Sequence, residues 1–276
     1  MTVPNAAPTV PATSASPTTS RPHVHDLTTS FIGRLRARDG AAWFELWETF
    51  GPVLRSQLSR WGRGRIGRET VQDLSQETMA ALATAIDRHD PNRGARFSTW
   101  LLAIARYTLG DELDRRTAQK RGGGVRPVSL EEEWAGASSA TAPDEAYELA
   151  VFDAKVEAAL RRLERSCDFV DFETFRMRVL EGRTGREVAR SLGTSEPTVS
   201  RRLARARDQL RSLLEDVFLR FSFTPDEIGE AERNGLSLTP KNGDDPAFDE
   251  AVGEVYARIA ARGRASGLDA GPAPLA

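Results

Sequence analysis

The sequence has one cysteine, Cys167, which excludes an internal disulfide and a Cys-based zinc site. That residue reads as a small buried group in a chain kept in a reducing compartment. Histidine is scarce too: of three, His23 and His25 lie in a stretch with no partner ligands, so no metal and no other cofactor is expected. There is no glycine-rich phosphate loop and no nucleophile motif, which argues against an enzyme, even one using carboxylates such as Asp111 and Glu112. No apolar run approaches the roughly 20 residues a membrane span needs. The amino terminus lacks an apolar signal core, so the expected location is cytoplasmic, with no membrane span. Net charge is also small, -2 with a pI near 6.0, which by itself does not suggest a nucleic-acid binder.

What is present is charge sorted into blocks. Arg176 to Arg211 holds ten Arg against four acidic residues, whereas Ser129 to Asp153 has seven acids and no Lys or Arg. From Glu215 onward twelve acids face six bases. Such alternation suits a protein that meets DNA with one part and keeps other parts off it.

The patterning is helical throughout. Residues 1–26 are dominated by Pro, Thr, Ser and Ala and read as a disordered tail. Trp43, Trp47, Phe50, Leu54, Leu58 and Trp61 follow helical spacing, with a break or bend expected at Gly51-Pro52. A helix over about 68–87 places Val71, Leu74, Thr78, Leu82 and Ile86 inward, and Asp73, Gln76, Glu77 and Ala80 on the opposite face, fit to dock on a basic partner helix. After a turn-rich loop, a helix over about 97–116 packs Phe97, Trp100, Leu101, Ile104 and Thr108, and its outer strip is modestly basic through Arg106. Residues 121–145 read as an acidic flexible linker, and helical patterning resumes to Glu164 and again over 170–181. Beyond Leu214 an apolar run leads to a capping box at Thr224 and an amphipathic helix from Asp245.

The most informative stretch is Thr184 to Leu214. Thr184 and Glu187 form a capping box, Gly193 permits a left-handed turn, Ser195 caps a second helix, and Pro197 falls in its first turn. Val199, Leu203, Ala206 and Leu210 form a buried stripe. Thr198, Arg201 and Arg205 lie opposite, with Arg202 on the flank. This is a helix-turn-helix pattern whose second helix suits the major groove.

With these residues in view, the chain resembles a bacterial RNA polymerase sigma factor of the extracytoplasmic-function (ECF) branch of the sigma-70 family. The resemblance rests on Asp73-Leu-Ser-Gln-Glu-Thr, on Asp90-Pro-Asn-Arg-Gly-Ala-Arg-Phe-Ser-Thr-Trp-Leu-Leu-Ala-Ile-Ala-Arg, on Asp111-Glu-Leu-Asp-Arg-Arg, and on Leu180 to Ala189 with the helix that follows. It covers about Leu27 to Glu215. The segment before Phe97 carries one residue more than the family pattern, and Cys167 to Phe175 is more apolar and acidic than that pattern.

The resemblance implies an all-α fold: two small helical domains joined by a flexible linker, the second a helix-turn-helix, plus a short helical C-terminal extension. The expected divisions are 27–120 for polymerase and -10 element binding, 146–216 for the -35 element, and 217–276 for an acidic extension of unassigned role. It also implies a non-enzymatic function, directing core RNA polymerase to promoters and opening the DNA. Asp73, Gln76, Glu77 and Ala80 would meet the clamp helices of the largest polymerase subunit, and the second domain the flap of the second subunit. Asn92, Arg93, Arg96, Phe97, Ser98, Thr99, Arg106, Arg115 and Arg116 would serve the -10 element. Thr184, Ser195, Thr198, Arg201, Arg202 and Arg205 would serve the -35 element. An anti-sigma factor is a further partner class the resemblance allows. The rival reading, a helix-turn-helix regulator binding operator DNA as a dimer, explains 184–214 but leaves 27–116 without a task.

Overall fold

The structure, a computed structural model, describes residues 24–87, 96–121, 144–238 and 245–265. Most of the expected linker, all but residues 121, 144 and 145, and most of the expected tail lie outside these residues. Among the described residues every regular element is helical. In chain order they are α1 (Val24–Arg36), α2 (Gly40–Trp61), α3 (Arg68–Ala85) and α4 (Phe97–Arg121), then α5 (Glu145–Ser166), α6 (Phe169–Phe175) and a π-helical turn (Arg176–Leu180). After these come α7 (Gly185–Ser191), α8 (Glu196–Arg220), α9 (Pro225–Arg233) and α10 (Asp245–Ala265). The first helix takes in Val24 to Asp26, which composition alone assigns to the tail.

Local chemistry explains most boundaries. Asp39 starts α2 by accepting from the Ala41 N–H at 2.9 Å, and Asp144 starts α5 by accepting from the Tyr147 N–H at 2.8 Å. Both capping boxes form, Thr184 with Glu187 and Thr224 with Glu227. Gly193 adopts φ +59 after α7, the left-handed region that a side chain with a Cβ disfavours.

Of the break or bend expected at Gly51-Pro52, the break does not occur. Helix α2 runs unbroken through Pro52. Proline removes the N–H that would have bonded the Glu48 carbonyl. Arg161 of α5 donates to that carbonyl at 3.4 Å, so tertiary contact replaces the lost bond.

A single buried apolar cluster extends from Phe31 in α1 to Val255 in α10. Both expected helical bodies contribute to it, and so does the chain past residue 216. At its centre the Phe221 ring, just beyond α8, meets Phe31 at 5.1 Å, Phe50 at 5.0 Å and Phe97 at 5.9 Å. Polar ties cross the same junction. The Thr28 hydroxyl lies 2.6 Å from the Leu219 carbonyl, and Arg220 donates to Glu45 at 2.6 Å.

Helix α10 seals the far side. Phe248, Val252 and Val255 are buried, and Arg258 reaches the buried Asp153 at 2.8 Å, joined there by Arg262. Arg207 donates to Asp249 at 2.8 Å, and Arg211, over the Phe248 ring, donates to Asp245 at 2.7 Å. Gly253 allows the close approach: a Cβ there would lie 3.3 Å from the Val179 carbonyl of the π-helical turn.

That turn divides two environments. Val179 belongs to the main cluster, while Met177 joins Val188, Ala189 and Val199 in a small separate one beneath α7 and the start of α8.

Candidate functional site

The expected docking strip on α3 is open. Asp73, Gln76, Glu77 and Ala80 are all exposed, because Val71, Leu74, Ser75, Thr78 and Leu82 turn the other face inward. Within the described residues no hydrogen bond or ion pair engages Asp73, Gln76 or Glu77. Other carboxylates are heavily used: Glu45, Glu48, Glu112, Asp153, Asp171 and Glu227 are each held by arginines or backbone amides.

The residues expected to serve the -10 element divide three ways. Asn92 and Arg93 lie outside the described residues. Arg106, Arg115 and Arg116 are accessible or half-buried along α4. The Arg106 guanidinium stands 4.9 Å over the Trp61 ring. Arg115 and Arg116 bond the buried Glu112, and Arg116 also donates to Thr70 at 2.8 Å. Burial opposes ionisation of Glu112, but the bonds from Arg116 and Arg115 outweigh it and hold the carboxyl below its usual range.

The third group, Arg96 to Thr99, is enclosed by other segments. Phe97 and Ser98 are covered, and Thr99 is half-buried. The Phe97 ring meets Phe50 at 4.8 Å and Phe223 at 5.2 Å. Its N–H donates to Glu227 of α9 at 2.9 Å. Ser98 donates to Glu148 of α5 at 2.8 Å, and the Tyr147 hydroxyl donates to the Ser98 carbonyl at 3.1 Å. Arg96 sits among Glu148, Asp226 and Glu230 at 3.6 to 3.8 Å. Beneath them Lys155 is fully buried against the Phe218 ring and donates to Ser222 at 3.2 Å. Burial pushes its ammonium down and the Glu230 carboxyl up. The start of α4 is thus clasped by α5 and α9.

On the α7–α8 pair, Val188, Ala189 and Val199 are inward while Thr184, Ser195, Arg201 and Arg205 are exposed, with Thr198 and Arg202 half-buried. Ser195 stands at the cap position, but its hydroxyl pairs with that of Thr198 at 3.0 Å and not with a backbone N–H. Part of the arginine block is structural. Arg207 and Arg211 face α10, and Arg176 bonds Glu173 and Glu181. Arg205 is exposed yet held by Asp171 of α6 through two bonds of 2.7 Å.

A family model described as ECF sigma factor matches residues 28–216, from the first turns of α1 to the last third of α8. The chain belongs to the ECF sigma factor family. No curated protein matches the chain. An ECF sigma factor is a DNA-binding protein of transcription initiation, and the family associates with RNA polymerase and promoter DNA, often with anti-sigma factors. The family is one of non-enzymatic transcription regulators. No described helix is long and apolar enough to cross a membrane. The match includes α5 but ends before α9 and α10, so only the α9 side of the clasp on α4 lies beyond what this ECF sigma factor shares with the family model.

Sequence reading missed Asp171, Glu148, Tyr147 and the long-range side of Glu227. The Thr224 capping box marks Glu227, but only as a local cap. The acidity of Cys167 to Phe175 is the one signal that pointed toward Asp171.

Proposed function

We propose that this sigma factor binds core RNA polymerase in the cytoplasm, carries it to specific promoters and promotes DNA opening, through two functional regions at 27–120 and 146–216. The observation that carries this reading is the strip Asp73, Gln76, Glu77 and Ala80. Two carboxylates and an amide stand exposed beside a small residue on one helix face, with no hydrogen-bond or ion-pair partner among the described residues. A basic pair of helices, as the clamp of the largest subunit would provide, is the complementary surface. On the second region, Thr184, Ser195, Thr198, Arg201, Arg202 and Arg205 supply a polar and cationic face for duplex DNA at the -35 element. Around the -10 element, Arg106, Arg115 and Arg116 would hold phosphates. The loop from Asn92 to Ser98 would take an extruded base, a capture that offsets an unstacking cost of a few kcal/mol, with Thr99 beside it in contact with the -10 element. For that step Phe97 and Ser98 must leave the clasp.

The test is retention on immobilised core polymerase. Asp73→Ala with Glu77→Ala is expected to weaken retention about tenfold, roughly 1.4 kcal/mol, with an unchanged thermal midpoint because both side chains are exposed. Full retention would remove this docking face.

Arg201 is exposed, and its Nε donates only to the Pro197 carbonyl at 3.3 Å. Arg201→Ala is expected to cost about 1–3 kcal/mol on a preferred promoter if it reaches a base edge. An equal loss on every sequence, measured by competition binding of the holoenzyme, would reassign it to a phosphate.

A further inference from the structure

Helix α6 carries an acid that promoter binding by itself does not call for. Asp171 is buried because its neighbours Phe172 and Phe175 anchor α6 in the core. Both carboxylate oxygens face α8: Arg205 Nε lies 2.7 Å from Oδ2 and Nη2 lies 2.7 Å from Oδ1. Arg202 Nε stands 3.9 Å from Oδ1. The Arg205 side chain is nevertheless 62% exposed.

Three physical points bear on this arrangement. An exposed arginine ordinarily samples many rotamers, and ordering it on binding costs entropy. A bidentate carboxylate removes that freedom before DNA arrives. As a bare charge, however, an acid beside the DNA-facing surface repels phosphate and weakens binding to any sequence. Finally, Asp171 occupies the Nε–Nη2 edge of the guanidinium and leaves the Nη1 end free. That end can donate a pair of bonds to guanine O6 and N7.

We propose that Asp171 is a positioning residue for sequence reading: it fixes Arg205, with Arg202 alongside, in the pose that α8 offers to base edges, trading general affinity for discrimination. This rests on the reading above that α8 faces the -35 element.

The test uses the full chain assembled with core polymerase and a promoter duplex selected by that holoenzyme from random-sequence DNA. The same duplex with its -35 element scrambled gives a discrimination ratio. Asp171→Asn is expected to lower that ratio about tenfold, while the scrambled duplex binds equally or more tightly. Arg205→Lys keeps the charge but cannot form the two-bond pair, and is expected to lower the ratio similarly. In an Arg205→Ala background, Asp171→Asn is expected to have no further effect on the ratio. Equal tightening on both duplexes with an unchanged ratio would overturn the proposal, leaving Asp171 a repulsive charge alone. A loss that persists in the Arg205→Ala background would overturn it as well, since the effect would not run through Arg205. If Arg205→Ala itself leaves the ratio unchanged, the -35 reading at this residue fails and the proposal falls with it.

Discussion

Phe221→Ala is expected to lower the unfolding free energy by about 3–5 kcal/mol, the range for deleting a buried phenyl ring. The residue is fully buried, one position past α8, and lies outside the family match. Its ring touches Phe31 of α1, Phe50 of α2 and Phe97 of α4, so the cavity would open where three helices meet. Those helices are pinned by other contacts and cannot collapse into the space, which puts the cost toward the upper end. Total stabilities of about 5–15 kcal/mol make such a loss decisive. Urea unfolding followed by tryptophan fluorescence checks it. A loss below about 1 kcal/mol would mean that the amino-terminal helices do not depend on the chain past 216. For the same reason, truncating before Phe218 would remove Phe218, Phe221, Phe223 and Phe248 from the core, and so would not isolate any regulatory part of the extension.

Glu227→Ala is the second large effect, expected at about 2–4 kcal/mol. Glu227 is buried and accepts from three backbone amides: Phe97 at 2.9 Å, Phe223 at 2.8 Å and Thr224 at 3.1 Å. Alanine would leave the buried donors of Phe97 and Phe223 without their partner, at about 1–3 kcal/mol each. It would also remove the capping box of α9. Glu227→Gln keeps one oxygen but turns an NH2 group toward the other donors, so it should cost less than alanine and more than nothing. The site-specific readout is amide hydrogen exchange at Phe97, which should accelerate in Glu227→Ala well beyond its rise in Asp171→Asn. Unchanged exchange there would mean that other contacts, not Glu227, hold the start of α4.

Much of the helical layout was legible in sequence because it is written in local terms. The stripe from Val71 to Ile86, the boxes at Thr184 and Thr224, and the turn at Gly193 depend on residues within a few positions of one another. A break or bend was expected at Pro52; no break occurs, and the donor that replaces the lost bond, Arg161, is more than 100 residues away. The candidate site shows the same division. Asp73, Gln76, Glu77 and Ala80 were readable as the outward face of one helix, and they are exposed. Phe97 was readable as packed, and the resemblance assigned it and Ser98 to the -10 element, but their partners Glu148, Phe223 and Glu227 come from other segments that periodicity cannot bring together. Arg207 and Arg211 likewise read as part of a basic block until α10 supplies Asp245 and Asp249.

The widened turn from Arg176 to Leu180 bears on how the α7–α8 pair is seated. A π-helical turn accommodates one more residue than an α-helical one, so side chains at its far end sit about 100° from where an uninterrupted α-helix would place them. Across this turn Met177 lies beneath α7 while Val179 stays with the main core. Removing a single residue between Arg176 and Leu180 would reset that phase, and the short non-helical link 181–184 would have to absorb the change for α7 and α8 to keep their packing on Met177.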